Sequence, residues 1–220
     1  MKSKLNWLEL LLLAAPFFAL AIYWNDLPAR VPIHWDLHGN INGWSGKTPG
    51  ILIAPLTALA ITVLLHILPR FDPRLRRTSG EEGLMPVILP IVRIATLGLL
   101  DIVFFVQIAT SLGQSIPGGR IMVSGVLVFS LILGNYLGNV RPNYFVGIRT
   151  PWTLENPETW RATHRLGGRA MFFGALVLVI AQFFLSGEVF AWLFVPSTLS
   201  FVAWGFVYSW HHSRTHAAAR

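Results

Sequence analysis

Residues 170–210 read AMFFGALVLVIAQFFLSGEVFAWLFVPSTLSFVAWGFVYSW. Glu188 is the only charged residue in that stretch. The apolar run on each side of it is close to the roughly 20 residues a helix needs to cross bilayer hydrocarbon. Gly187-Glu188 leaves almost nothing for a loop, so the two runs, Gly168–Ser186 and Val189–Trp210, read as a tight helical hairpin. Four earlier segments repeat the pattern: Leu5–Trp24, Gly50–Leu68, Pro86–Thr110 and Ile121–Leu137. The expectation is an all-α, polytopic transmembrane helix bundle with about six spans. It divides into a two-span region, 1–70, and a four-span region, 71–220.

Composition points the same way. The 220 residues are 54% hydrophobic and 12% charged, about half the charged share of a soluble domain. Trp7, Tyr23, Trp24, Tyr136 and Trp210 sit near span ends, where amphipathic rings prefer the headgroup layer. Lys2 and Lys4 before an apolar run, with Ala19-Leu20-Ala21 inside it, also resemble a signal peptide. The run continues past that site to Tyr23-Trp24, which favours an uncleaved span.

With no cysteine, disulfides, thiolate metal sites and cysteine nucleophiles are excluded. The net charge of +7 is read as a topology signal rather than a nucleic-acid footprint. One side carries thirteen basic residues: Lys2, Lys4, Arg70, Arg74, Arg76, Arg77, Arg141, Arg149, Arg161, Arg165, Arg169, Arg214 and Arg220. The other carries three, Arg30, Lys47 and Arg120. By the positive-inside rule both termini are expected in the cytoplasm.

Two loops are too rich to be linkers. In the outer one, Val31, Ile33, Trp35 and Leu37 alternate with His34, Asp36 and His38, a strand period. Gly39-Asn40 and Asn42-Gly43 then read as turns, followed by Trp44 and Lys47. An extended segment followed by turns is expected on the outer face. His34, Asp36 and His38 share a face when extended and are weak candidates for a metal; a hydrogen-bonding polar face is the plainer account. In the inner loop, Asn156 can cap a helix with Pro157 at its first position and Glu158 in its first turn. That helix carries Trp160 and His164 on one face, and Thr150-Pro151 suggests another short helical turn. Arg141, Arg149, Arg161, Arg165 and Arg169 could meet anionic lipid headgroups or a partner's carboxylates.

Pro32-Ile33-His34-Trp35-Asp36, Gly39, Gly43-Trp44 and Lys47 resemble a small membrane domain of unknown function. Asn135-Tyr136-Leu137-Gly138, Arg141-Pro142-Asn143-Tyr144-Phe145-Val146-Gly147-Ile148-Arg149-Thr150-Pro151-Trp152-Thr153-Leu154, Trp160 and Thr163-His164-Arg165 resemble the SdpI/YfhL family. The resemblance implies an immunity and signalling protein of a bacterial cytoplasmic membrane, active against a secreted killing peptide of the SdpC type. It also implies that a cytosolic SdpR-like repressor is drawn to the membrane. It carries over as outer candidates His34, Trp35, Asp36, His38, Gly39, Trp44 and Lys47. As inner candidates it carries Asn135, Arg141, Pro142, Asn143, Tyr144, Gly147, Arg149, Thr150, Pro151, Trp152, Trp160, His164 and Arg165. No cofactor is implied.

Arg93 and Asp101 lie inside the third span, where charge is costly and marks a functional hypothesis. They are eight residues apart, about 12 Å along a helix, too far to pair readily. Arg93 is expected to snorkel to the inner surface. Asp101 is expected to take a donor from Gln107 or Asn135, or to be protonated. Two rival functions follow: a metal-dependent hydrolase built on the outer His/Asp cluster, and a proton or small-solute transporter centred on Asp101. HExxH and GxSxG are both missing, and no internal repeat suggests a transporter.

Overall fold

The computed structural model describes residues 5–36, 39–74 and 85–217. It is a helical bundle with a small β-hairpin at one end. In chain order the elements are α1 (Trp7–Tyr23), β1 (Arg30–Trp35), β2 (Ile41–Gly46), α2 (Lys47–Phe71), α3 (Met85–Ser111), α4 (Gly118–Leu137), α5 (Pro151–Glu155), α6 (Pro157–Phe184) and α7 (Gly187–Ala217). Among the described residues, α2, α3, α4, α6 and α7 are each long and apolar enough to cross a membrane. The 17 residues of α1 make about 25 Å of helix, somewhat less than the roughly 30 Å of hydrocarbon. Large apolar side chains cover the outside: Phe18, Phe183, Phe184 and Trp192 are all more than 70% exposed. That surface suits lipid, not water.

Local chemistry sets the ends of the helices. Asn6 caps α1 reciprocally: its Oδ1 accepts the Glu9 N–H at 2.8 Å, and Glu9 Oε2 accepts the Asn6 N–H at 3.0 Å. This is a capping box. Thr150 and Thr153 form a second one, with Pro151 opening α5. Asn156 Oδ1 accepts from Glu158 and Thr159, with Pro157 at the first position of α6. The inner-loop helix and the fifth span are therefore one helix of 28 residues. The α6–α7 connection is Leu185-Ser186, and Gly187-Glu188 already belongs to α7.

α3 packs against α1, α2 and α4; α4 packs most extensively on α6, and α6 on α7. Gly134 and Gly168 allow the α4–α6 contact. A Cβ at Gly134 would lie 2.9 Å from the Gly168 carbonyl oxygen, and one at Gly168 would lie 2.8 Å from the Gly134 carbonyl oxygen. Small residues at a crossing let two backbones approach in this way. Three apolar clusters form the core. One joins Ala19, Leu20, Ile51, Ala54, Phe104 and Ile108. A second joins Ile88, Leu89, Leu137, Val140 and Trp160. The third joins Leu127, Ala175 and Phe190.

The outer loop departs from its expected form. The extended segment is β1, but an antiparallel second strand follows it, with Arg30 opposite Gly46 and Trp35 opposite Ile41. Asn42-Gly43, expected as a turn, lies inside β2. The turn chemistry is absorbed as a register shift around His34, which sits opposite Gly43. A Cβ on Gly43 would lie 2.7 Å from the His34 Cβ. Glycine is needed there for close approach, not for a bend.

Candidate functional site

The hairpin is fastened to the bundle from below. Gln107 on α3 donates to the Pro32 carbonyl at 2.8 Å and to the Gly50 carbonyl at 3.1 Å. Its amide thus holds β1 and the start of α2 rather than Asp101. Lys47 donates to the Leu27 carbonyl at 3.1 Å and lies 4.8 Å from the Trp24 ring centre. Val31 is fully buried, whereas Ile33 and Trp44 are exposed.

The polar residues of the hairpin are engaged with one another. His34 Nδ1 meets Asn42 Oδ1. Asp36 accepts from the Asn40 backbone N–H at 2.8 Å and from its side-chain amide at 3.2 Å. Among the described residues no group of three His, Cys, Asp or Glu is placed to hold a metal. His38, the third residue of the weak metal triad, lies outside the described residues. Gly39 has φ +86°, which favours glycine, and packs against Gly119 at the start of α4.

Trp35, Asp36 and Gly39 roof a cavity of about 530 Å³. Its remaining walls come from the α3–α4 turn, the first turns of α4 and the α6–α7 hairpin, with Arg120, Gln182, Phe190 and Phe194 among the lining residues. This is the size of a small-ligand site. Charge counting places Arg120 on the outer side but not in a site, so Arg120 and Gln182 are additions as lining residues. Gln182 was hidden because a lone glutamine in an apolar run reads as interhelical glue.

The inner loop is ordered by its buried polar groups. Asn143, fully buried, donates to the carbonyls of Arg141 and Val146 and accepts the N–H groups of Phe145 and Val146. Trp160, also fully buried, donates to the Val140 carbonyl at 2.7 Å and stacks on His164 at 4.0 Å between ring centres. His164 Nε2 accepts the Ile148 N–H at 2.9 Å, and Nδ1 faces the Trp160 carbonyl at 2.8 Å. Those partners require the neutral ring with its proton on Nδ1. Gly147 turns the chain at φ +117°, with its missing Cβ position against the His164 ring. Thr150 Oγ1 donates to Ser209 on α7 at 2.9 Å.

These buried groups shape the loop and offer nothing to a partner. Pro142 and Trp152 are half-buried, Pro151 is exposed, and Asn135 is exposed on α4. The accessible groups are Tyr144, Arg149 and, four residues apart along α6, Arg161, Arg165 and Arg169. Arg149 donates to the Tyr144 carbonyl at 2.6 Å. The end of α2 clasps the same loop. Asp72 accepts the Tyr144 N–H at 2.9 Å, and Arg74 donates to the Leu154 carbonyl at 2.6 Å while lying over the Tyr144 ring. Asp72 is invisible to a loop-by-loop reading, because its partner is 72 residues away.

Arg93 does not snorkel. It is 2% exposed and paired with Glu9 on α1, a residue the sequence reading passed over. The Asn6-x-x-Glu9 cap before an apolar run was the available signal. Asp101 is 6% exposed and makes no side-chain hydrogen bond among the described residues. Gln107 points outward to the hairpin, and Asn135 sits near the inner end of α4.

Residues 139–209 match the SdpI/YfhL protein family. Over that segment the chain is similar to the family. Residues 11–59 match a domain of unknown function (DUF1648), and this segment contains most of α1, the hairpin and the first half of α2. The chain is 24% identical over 215 residues to the immunity protein SdpI of Bacillus subtilis (strain 168), covering 95% of this chain and 96% of that one. No solved structure matches. With five helices long and apolar enough to cross a membrane among the described residues, the chain is a multi-pass membrane protein, and its family-matching segment contains the inner loop, α5, α6 and most of α7.

Proposed function

We propose that the chain is an immunity protein of a bacterial cytoplasmic membrane. It would cross that membrane six times with both termini inside, and protect the cell against a secreted, membrane-active peptide of the SdpC type. The supporting observation is the near end-to-end similarity to an immunity protein, which includes the outer hairpin as well as the inner loop. The excess of Arg and Lys on one side supports the orientation. In that orientation the hairpin and the cavity beneath it meet the peptide.

The inner loop then offers Tyr144, Arg149, Arg161, Arg165 and Arg169 to the cytosol. That surface suits a carboxylate-bearing partner such as an SdpR-like repressor, or anionic lipid headgroups. Survival tests the reading. Sensitive cells expressing the chain should withstand an SdpC-type peptide that kills control cells. Equal killing, with the chain present in the membrane, would overturn it.

A further inference from the structure

The cavity under the hairpin has a defined polarity. Gln182 is 4% exposed; its side-chain amide lies 3.0 Å from the Ser124 hydroxyl, which also donates to the Arg120 carbonyl at 2.8 Å. Gln182 lines the cavity and brings an amide to that wall. The 20-residue helix α4 begins at the same wall, with Pro117 at its N-cap and no side-chain cap. The Gly118 N–H is taken by the Ile116 carbonyl at 2.8 Å, which leaves the N–H groups of Gly119 and Arg120 and the positive end of the helix dipole without a side-chain cap. Arg120 in that first turn is exposed and has no ion-pair partner among the described residues.

Much of the remaining lining is apolar. Phe190 and Phe194 stack at 6.0 Å between ring centres, and Met122 and Val123 continue the surface. The lining carboxylate, Asp36, already accepts two N–H groups of Asn40.

We propose that this cavity binds the carboxylate-bearing C-terminus of an apolar peptide. The carboxylate lies between Arg120, the Gln182 amide and the start of α4. Apolar side chains lie against Phe190 and Phe194. Charge complementarity selects the anion, and the aromatic wall selects the chain attached to it. The assignment rests on the immunity reading for its choice of a peptide as occupant.

The test uses the full chain in detergent micelles and the N-terminally fluorescein-labelled peptide Leu-Val-Phe-Leu. One form carries a free C-terminal carboxylate, the other a C-terminal amide, and binding is read by anisotropy. The acid form should bind about tenfold tighter or more, the scale of a charge-assisted hydrogen bond. Arg120→Gln and Gln182→Leu should each bring the acid down to the amide's affinity without changing the amide's, and Arg120→Lys should keep part of the preference. Arg120 is exposed, so its variants report even if Gln182→Leu misfolds.

Equal binding of the two forms, binding of neither, or a preference that survives Arg120→Gln would overturn the proposal. Dodecanoate is the lipid-like competitor. If it displaces the acid peptide at equal concentration, the occupant is an anionic lipid and the peptide assignment falls. Acid selectivity without cellular protection would sink the immunity reading alone. Protection undiminished in Arg120→Gln cells, with no selectivity in vitro, would sink only the cavity assignment.

Discussion

Nε of Arg93 lies 2.6 Å from Oε1 of Glu9, joining α3 to α1 through two side chains that are 2% and 0% exposed. His66 on α2 stands 3.8 Å from the other Glu9 oxygen and uses Nδ1 on the Thr62 carbonyl. Glu9 therefore joins α1 to α3 and caps its own helix. Removing one partner strands a buried charge, at about 3–5 kcal/mol. Glu9→Gln and Arg93→Gln should each lower the thermal unfolding midpoint in detergent sharply. The double variant should lose clearly less than the two losses added, as expected for residues in contact. Strictly additive losses would mean that the pair does not form.

Asp101 makes the opposite prediction. It is buried and makes no side-chain hydrogen bond among the described residues, so it contributes no bond and carries a desolvation cost of about 1–3 kcal/mol. Asp101→Leu should raise the unfolding midpoint. Natural proteins keep such groups where function needs them, so the same variant should weaken protection in the survival assay. A lower midpoint would show instead that the carboxyl has a structural partner.

These two residues also show how far the sequence could be read. The long helices follow from hydropathy, and the start of α6 from Asn156-Pro157, because both signals are local. Arg93 and Asp101 stood out as charges in a span, but their surroundings did not. The partner of Arg93 is 84 residues away, and the amide expected for Asp101 is used by Pro32 and Gly50. The second strand was hidden because Asn42-Gly43 carries turn composition, while its glycine is required by close approach to His34. The outer cavity draws on three separated segments, and only the hairpin segment announced itself. Most inner motif residues were visible, but burial alone separates Asn143, Trp160 and His164, which shape the loop, from Arg149 and Arg165, which face outward.

The glycine crossing between α4 and α6 has no room for a methyl group. Gly134→Ala places a Cβ against backbone atoms of Phe172 and Gly168, and backbone cannot rotate away as a side chain can. Overpacking of this kind costs about 1–3 kcal/mol. Gly134→Ala should lower the unfolding midpoint, and Gly134→Val should prevent recovery of monodisperse protein on gel filtration. Gly174 has nothing within 4 Å of its Cβ position, so Gly174→Ala on the same helix as Gly168 should leave both measurements unchanged.

His164 and Gly147 lock the inner loop. His164→Leu leaves the Ile148 N–H without its acceptor, worth about 1–3 kcal/mol when buried. Gly147→Ala adds both the positive φ and a Cβ pressed on the imidazole. Both variants should open the loop, and the glycine variant should open it further. Trypsin applied to inside-out vesicles should then cut after Arg149 faster than in the parent chain. Equal cutting in all cases would mean that the loop is held elsewhere.

Orientation can be tested directly because the chain contains no cysteine. Thr48, at the outer end of α2, and Glu155, at the end of α5, are both exposed and lie on opposite sides in the proposed topology. A membrane-impermeant maleimide should label Thr48→Cys in intact cells and Glu155→Cys only after permeabilisation. An odd number of crossings between the two sites requires that difference, and α2, α3 and α4 are the three helices that supply it. Labelling of both sites in intact cells would remove one of those three crossings, and labelling of Glu155→Cys alone would remove the assignment of the hairpin to the face a secreted peptide meets.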